Sequence, residues 1–323
     1  VILLMGWAVR HRVSNRVLLG LSVGAGAILG VGYGFRTDFL AIFPVWPIVL
    51  FAFIEGRLLA RIGVKVAACA AYLLVFAIAA WPALTTVYKE GGCQWHVTLL
   101  GLQSPFDASL GIAPAPYDFG YAYSDGYVAS TVAGYAHRIH SVDTVPYCSH
   151  EYDVQSGEYL RRIMQTFPGD VVTRAYAAVI QVTELPFVWW AAPRPDWVPR
   201  LYEWRAEVLR TSTHLGVYIV AVALLLAAST SLRIAAFLVF FLGYFGGYQS
   251  LQFQTRHHFH LEFVTWWALG FILDVVIAQI AHSRSTLPDW QKVSRGVVRA
   301  AGFGIAVLGV ALCLLLASRA IQH

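Results

Sequence analysis

Residues 213–250 read THLGVYIVAVALLLAASTSLRIAAFLVFFLGYFGGYQS, and Arg233 is the one formally charged residue in that stretch. It falls in a tight turn between two apolar runs, 213–231 and 233–251. A surface helix of a soluble protein carries a polar stripe. These runs carry none, and each is long enough for a hydrocarbon core, which takes roughly 17–25 residues. The same pattern recurs outward from them at 17–34, 66–84, 261–281 and 296–318. Residues 39–54 form a shorter apolar run broken by Pro44 and Pro47, read as a kinked crossing. The chain opens on Val1-Ile2-Leu3-Leu4, already apolar and without Met. Residues 1–9 therefore read as the tail of a crossing whose start lies upstream, which gives eight crossings.

Composition points the same way. Of 323 residues, 58% are apolar and only 13% charged, and the mean hydropathy is +0.60. A soluble domain carries about 25% charged residues. So few charges cannot cover a water-facing surface, and the composition also excludes intrinsic disorder and a disulfide-dense miniprotein. The fold class is an all-α polytopic membrane protein with about eight transmembrane helices. The net charge of +5 fits basic cytoplasmic loops better than a nucleic-acid partner.

Orientation follows from the arginines. If the loop 10–16 is cytoplasmic, the loops 55–65, Arg233 and 283–299 are cytoplasmic too. Together they hold Arg10, Arg12, Arg16, Arg57, Arg61, Lys65, Arg233, Arg284, Lys292, Arg295 and Arg299. These are 11 of the 23 basic residues, set against two acids, Glu55 and Asp289. Short basic loops stay inside, whereas long segments are translocated largely regardless of charge. Residues 85–211, with 9 basic and 13 acidic residues, then lie outside. The expected organisation is membrane helices over 1–84, an extracytoplasmic cap of amphipathic helices over 85–211, and membrane helices over 212–323. The expected location is the bacterial inner (cytoplasmic) membrane.

The cap carries its own signals. Ser124 is placed to cap a helix with Tyr127, Val128, Thr131, Val132, Tyr135 and Ile139 on one face. Ser156 and Asp170 read as the starts of two more helices, the latter closed by Pro186 and Trp189-Trp190. Residues 197–210 read as a fourth. Such short helices, rich in Tyr and Trp, suit the headgroup layer. Cys93 and Cys148 both fall outside, where an oxidising compartment allows a disulfide; two free thiols are the alternative. Cys69 and Cys313 fall within spans. Asp107, Asp118 and Asp125 lie among aromatics able to stack on a sugar ring, although Asp/Tyr loops also occur without a ligand.

Two polar clusters fall at the expected outer edge. In Gly34-Phe35-Arg36-Thr37-Asp38, Arg36 can reach a lipid phosphate and hold two of its oxygens. Alternatively it pairs with Asp38, or Asp38 caps the next helix. In Gln252-Phe253-Gln254-Thr255-Arg256-His257-His258-Phe259-His260-Leu261-Glu262, Arg256 adds a cation. His258 and Glu262 share a face if the helix runs through both, which suits acid–base work or an anionic substrate. A structural polar belt is the competing reading. Three histidines and an acid also bring a divalent metal to mind, but HHxH lacks the HExxH spacing, so no metal or cofactor is assigned. Asp274, inside a span, is a functional candidate by its position.

The segment GVGYGFRTDFLAIFP (30–44) resembles a GFR-x-D…P segment of bacterial multi-spanning glycosyltransferases of the C superfamily. HVTLLGLQSPFD, YDFGYAYSDGYVAS, FPGDVVTRAYAAVI and RHHFHLEFVTWW look like later parts of membrane proteins in that group. The resemblance spans about residues 17–270 and suits the C-terminal part of such an enzyme. It implies transfer of a sugar from a polyprenyl-phosphate donor on the outer face. In that family the catalytic acid usually lies in the first external loop. The only early external acid here is Asp38, in a connection too short to resemble that loop. Arg36, Asp38, Asp118, Arg256, His258 and Glu262 are therefore expected to bind substrate, and no residue is assigned as the base. The expected partners are membrane lipid and a polyprenyl-phosphate-linked sugar. The rival expectation is a non-catalytic subunit packed against partner membrane subunits, helped by the close-packing stripe Gly20, Gly24, Gly26, Gly30 and Gly34.

Overall fold

The computed structural model describes the whole chain except residues 55–60, 118–122, 185–197, 284–289 and 323. The described residues form α-helices joined by short 3-10 and π segments, with no strand among them. Among the described residues, five helices are long and apolar enough to cross a membrane: Asn15–Phe35, Ile62–Glu90, Leu232–Leu251, Phe263–Ala281 and Trp290–Gln322. The bent pair Glu203–Ser212 and Leu215–Thr230 makes a sixth if taken as one span. This is consistent with a multi-pass membrane protein.

The chain packs as two compact units, one of Val1–Leu100 with Tyr123–Ile163, the other of Gly101–Ala122 with Met164–His323. The segment 85–211 is thus shared between them.

The first unit contains α1 (Ile2–Arg10), α2 (Asn15–Phe35), α3 (Val45–Ala52), α4 (Ile62–Glu90), α5 (Gln94–Gly101, its last residue in the second unit), α7 (Asp125–His140) and most of α8 (His150–Thr166). Its spine is the α2–α4 pair. Between lipid-facing helices there is little hydrophobic drive, so contact depends on close van der Waals approach. Gly26 and Gly30 supply it: a Cβ on Gly26 would lie 2.5 Å from the Tyr72 carbonyl oxygen, and one on Gly30 2.6 Å from the Ala79 Cβ. The run 39–54 is a 3-10 turn (Thr37–Ile42) followed by α3, which at eight residues rises about 12 Å. Pro47 has no N–H for the carbonyl four residues back, that of Phe43. The Tyr72 hydroxyl of α4 donates to that oxygen instead, at 2.8 Å. At the other end of α3, the buried Lys65 ammonium donates to the carbonyls of Ile54 (3.0 Å) and Phe51 (3.4 Å). A cation there suits a helix C-terminus.

The second unit contains α6 (Ser104–Leu110), α9 (Pro168–Thr183), α10 (Val198–Ser212), α11 (Leu215–Thr230), α12 (Leu232–Phe241), α13 (Thr255–His258), α14 (Phe263–Ser283) and α15 (Trp290–Gln322). Both α9 and α11 pack along α15. Near the N-terminal end of α15, Arg299 donates to the last carbonyls of α11, those of Ser229 and Thr230. Toward its C-terminal end, the Tyr176 hydroxyl of α9 donates to the Ala311 carbonyl at 2.8 Å. Arg319 and Gln322 hold both carboxylate oxygens of Asp170 in the first turn of α9. A π segment (Leu242–Gly246) continues α12 and packs on α9.

Ser124 caps α7, accepting from the Tyr127 N–H at 3.2 Å. Ser156, expected to start a helix, sits inside α8. That helix begins at His150, with the Ser149 hydroxyl accepting from the Tyr152 N–H. Glu151 and Asp153 in its first turn favour the earlier start, since acids suit a helix N-terminus. Pro168, at the first helical position, starts α9 two residues before Asp170. Pro186 and Trp189-Trp190 lie outside the described residues.

Candidate functional site

Cys93 and Cys148 form a disulfide in the first unit. It joins the start of α5 to the residues just before α8. The backbone is tight there: Gly91 has φ +87°, and a Cβ on it would lie 2.3 Å from the Cys148 carbonyl oxygen. Asp153 of α8 accepts from the N–H of Gly92 (2.6 Å) and Gln94 (3.1 Å), satisfying amides at the start of α5.

This clasp places His96, third residue of α5, against α7 and α8. His96 is only 2% exposed, and both its ring nitrogens are engaged. Nδ1 lies 2.5 Å from the Tyr152 hydroxyl, and Nε2 lies 3.0 Å from Oδ1 of Asp125. The Tyr147 hydroxyl is 3.4 Å from Nε2, and its ring meets the imidazole edge-on. Burial raises the pKa of the Tyr152 hydroxyl, with Tyr147, Asp153 and Asp125 adding to the effect. The Asp125 carboxylate can only accept, so the tautomer that suits both contacts carries its proton on Nε2 and accepts from the Tyr152 hydroxyl at Nδ1. The two ends of this chain differ in access: Tyr152 is buried, while the Asp125 side chain is 67% exposed. Tyr147 is exposed beside it.

The same unit has an open groove of about 560 Å³ between the C-terminal ends of α2 and α4. Gly30, Gly34, Ala79, Pro82 and Ala83 line it, together with the exposed Arg36. Tyr33 also lines it, and its hydroxyl accepts from the Gln94 side chain at 2.9 Å. Gln94 is two residues from His96, so the groove wall and the His96 cluster are tied through α5.

The residues expected to bind substrate are dispersed. Asp38 lies in the 3-10 turn after Arg36, and Asp118 lies outside the described residues. Arg256, His258 and Glu262 belong to the second unit. A 3-10 turn (Phe259–Leu261) follows α13, so no continuous α-helix carries His258 and Glu262 onto a shared face. His258 stacks instead on Phe253, with ring centroids 4.7 Å apart. Its pKa is lowered by burial and by His260 and His257. Asp274 is exposed on α14. Among the described residues no group of three or more His, Cys, Asp or Glu is placed to hold a metal ion.

Asp107, for which sugar contact and a ligand-free loop were the two alternatives, is fully buried in the second unit and pairs with Arg174, itself buried. Arg174 also donates to the carbonyls of Gly101 (2.7 Å) and Ser250 (3.2 Å), and Asp107 accepts from the Ala115 N–H. His96, Tyr152 and Arg174 were not singled out from the sequence. Each is a lone polar residue in an apolar or amphipathic run, and its partners lie 29 to 76 positions away.

No protein-family model matches the chain, and no curated protein or solved structure matches it.

Proposed function

We propose that the chain is an integral protein of the bacterial inner membrane that transfers a sugar from a lipid-phosphate donor at the outer face. In this reading it crosses the bilayer eight times and residues 85–211 are extracytoplasmic. The observation that carries it is the groove between α2 and α4. Its small apolar walls suit an extended hydrocarbon chain. Arg36, in its lining, suits the phosphate to which such a chain is joined, because a guanidinium can bind two phosphate oxygens at once. The basic cytoplasmic loops support the placement of Arg36 at the outer surface. The resemblance of the Arg36 segment to the C-superfamily glycosyltransferases supports the sugar.

The test is binding and transfer by the full chain in proteoliposomes. Radiolabelled polyprenyl phosphate should bind, and Arg36→Ala should weaken binding about tenfold or more, the scale of a charge-assisted hydrogen bond. Membrane insertion should be unchanged. Undiminished binding by the variant, or no binding by the parent protein, would count against the reading.

A further inference from the structure

The His96 cluster has an order that a structural ion pair does not need. Its members run from a buried hydroxyl (Tyr152) through a buried imidazole (His96) to an exposed carboxylate (Asp125). The Asp125 carboxylate can only accept, so the Nε2–H tautomer, with Nδ1 accepting from the Tyr152 hydroxyl, is the one that suits both contacts. Asp125 is also the first residue of α7, with Ser124 as the cap. Its charge therefore sits at the positive end of a helix dipole. One carboxylate oxygen is held by His96 while the side chain faces outward. Asp153, the other nearby acid, is committed to the amides of Gly92 and Gln94.

We infer that Asp125 is a general base for a carbohydrate hydroxyl, with His96 and Tyr152 as positioning residues. The inference rests on the sugar-transfer reading above. The acceptor O–H bond breaks and its proton passes to the Asp125 carboxylate. The freed oxygen pair forms a bond to the anomeric carbon of the donor sugar. The bond from that carbon to the lipid-phosphate oxygen breaks, and the phosphate keeps its electron pair. Asp125 then returns the proton to water, which its exposure allows. The exposed Tyr147 ring beside the carboxylate offers a flat apolar face with a hydroxyl at its edge, a surface matched to a sugar ring.

The experiment uses the full chain in proteoliposomes with a panel of radiolabelled polyprenyl-phosphate hexoses and pentoses and soluble oligosaccharide acceptors. Asp125→Asn should lower kcat about a hundredfold or more, the usual contribution of a general base, with the donor KM unchanged. Asp125→Glu should recover part of the loss. His96→Gln and Tyr152→Phe should lower kcat less and should shift the acidic limb of the pH profile, which a merely structural role would not move. Retained binding of polyprenyl phosphate by each variant separates lost chemistry from lost fold. If the parent protein transfers sugar and Asp125→Asn does so equally well, the base assignment fails and the sugar-transfer reading stands. If the parent protein binds polyprenyl phosphate but transfers from no donor in the panel, both are overturned.

Discussion

In the second unit Arg174 meets Asp107 with both side chains shut away from solvent. In the first, His96 is as deeply buried, but the acid it meets, Asp125, faces outward. The two clusters use similar chemistry and differ in access. A sealed pair must satisfy every lone pair and proton internally, and Arg174 does so partly through two backbone carbonyls, those of Gly101 and Ser250. That arrangement fixes chain segments far apart in sequence and keeps both charges away from solvent. The open cluster fixes α5 against α7 and α8 and still presents a carboxylate to the surroundings. Exposure of the acid, more than the presence of an ion pair, separates a candidate reaction centre from a structural clamp.

The largest stability effect expected is at the sealed pair. Arg174→Leu leaves Asp107 buried without its cation and frees the Gly101 and Ser250 carbonyls. Breaking a buried pair on one side costs about 3–5 kcal/mol. Replacing both members, Arg174→Met with Asp107→Leu, should restore much of that loss, because no lone charge remains. Asp125→Asn should cost only about 1 kcal/mol, because the amide oxygen still accepts from His96 and the charge lost is an exposed one at a helix N-terminus. Thermal or denaturant unfolding in detergent micelles measures all three. Equal costs at Asp107 and Asp125 would erase the distinction between the clusters.

Much of the helical, membrane-type architecture was legible because lipid leaves a blunt signature: long apolar runs, few charges and basic short loops. The Ser124 cap and the Cys93–Cys148 bridge were legible for simple reasons, a capping residue before an amphipathic face and two cysteines in one polar segment between apolar runs. The polar clusters were not. Asp107 follows an aromatic residue and Asp125 stands among tyrosines, yet one is sealed against Arg174 and the other left open by His96. Nothing local distinguishes them, since the deciding partners lie 67 and 29 positions away. The expected His258–Glu262 face was lost for a different reason. Spacing of four assumes a continuous α-helix, and the chain makes a 3-10 turn between the two residues.

The disulfide sharpens the comparison within the first unit. It closes a separation of 55 residues, and removing a bridge of that kind costs about 2–5 kcal/mol. Cys93→Ser with Cys148→Ser should therefore destabilise less than, or about as much as, Arg174→Leu. Its local effect should be distinctive. Hydrogen exchange should speed up at residues 94–96 and 147–152, which the bridge holds around His96, and should stay slow around Arg174. Uniform acceleration in both units would show that the bridge acts on the whole chain, and the clasp around His96 would lose its special role.

The smallest effect concerns the contact between α7 and α8, the helices that carry Asp125 and Tyr152. Glu158 of α8 accepts from the Tyr135 hydroxyl (2.9 Å) and from Arg162, and pairs with His140 at 3.0 Å. The hydrogen bond from Tyr135, followed by those from Arg162 and His140, holds its carboxyl below the ordinary value of 4.5. The folded state thus binds this proton more weakly than the unfolded state does. The contribution to stability is fully present above about pH 4.5 and is lost as pH falls through the depressed value. These are solvent-screened contacts, so the loss is small. Exchange in residues 125–140 and 150–166 should rise as pH drops through that range, after correction for intrinsic rates. Other carboxylates titrate there too, so Glu158→Gln is the deciding control: it should show the faster exchange already at neutral pH and a weaker response to acid. An acid response identical to that of the parent protein would assign the transition to another group, and the α7–α8 contact would then owe its pH dependence to something other than Glu158.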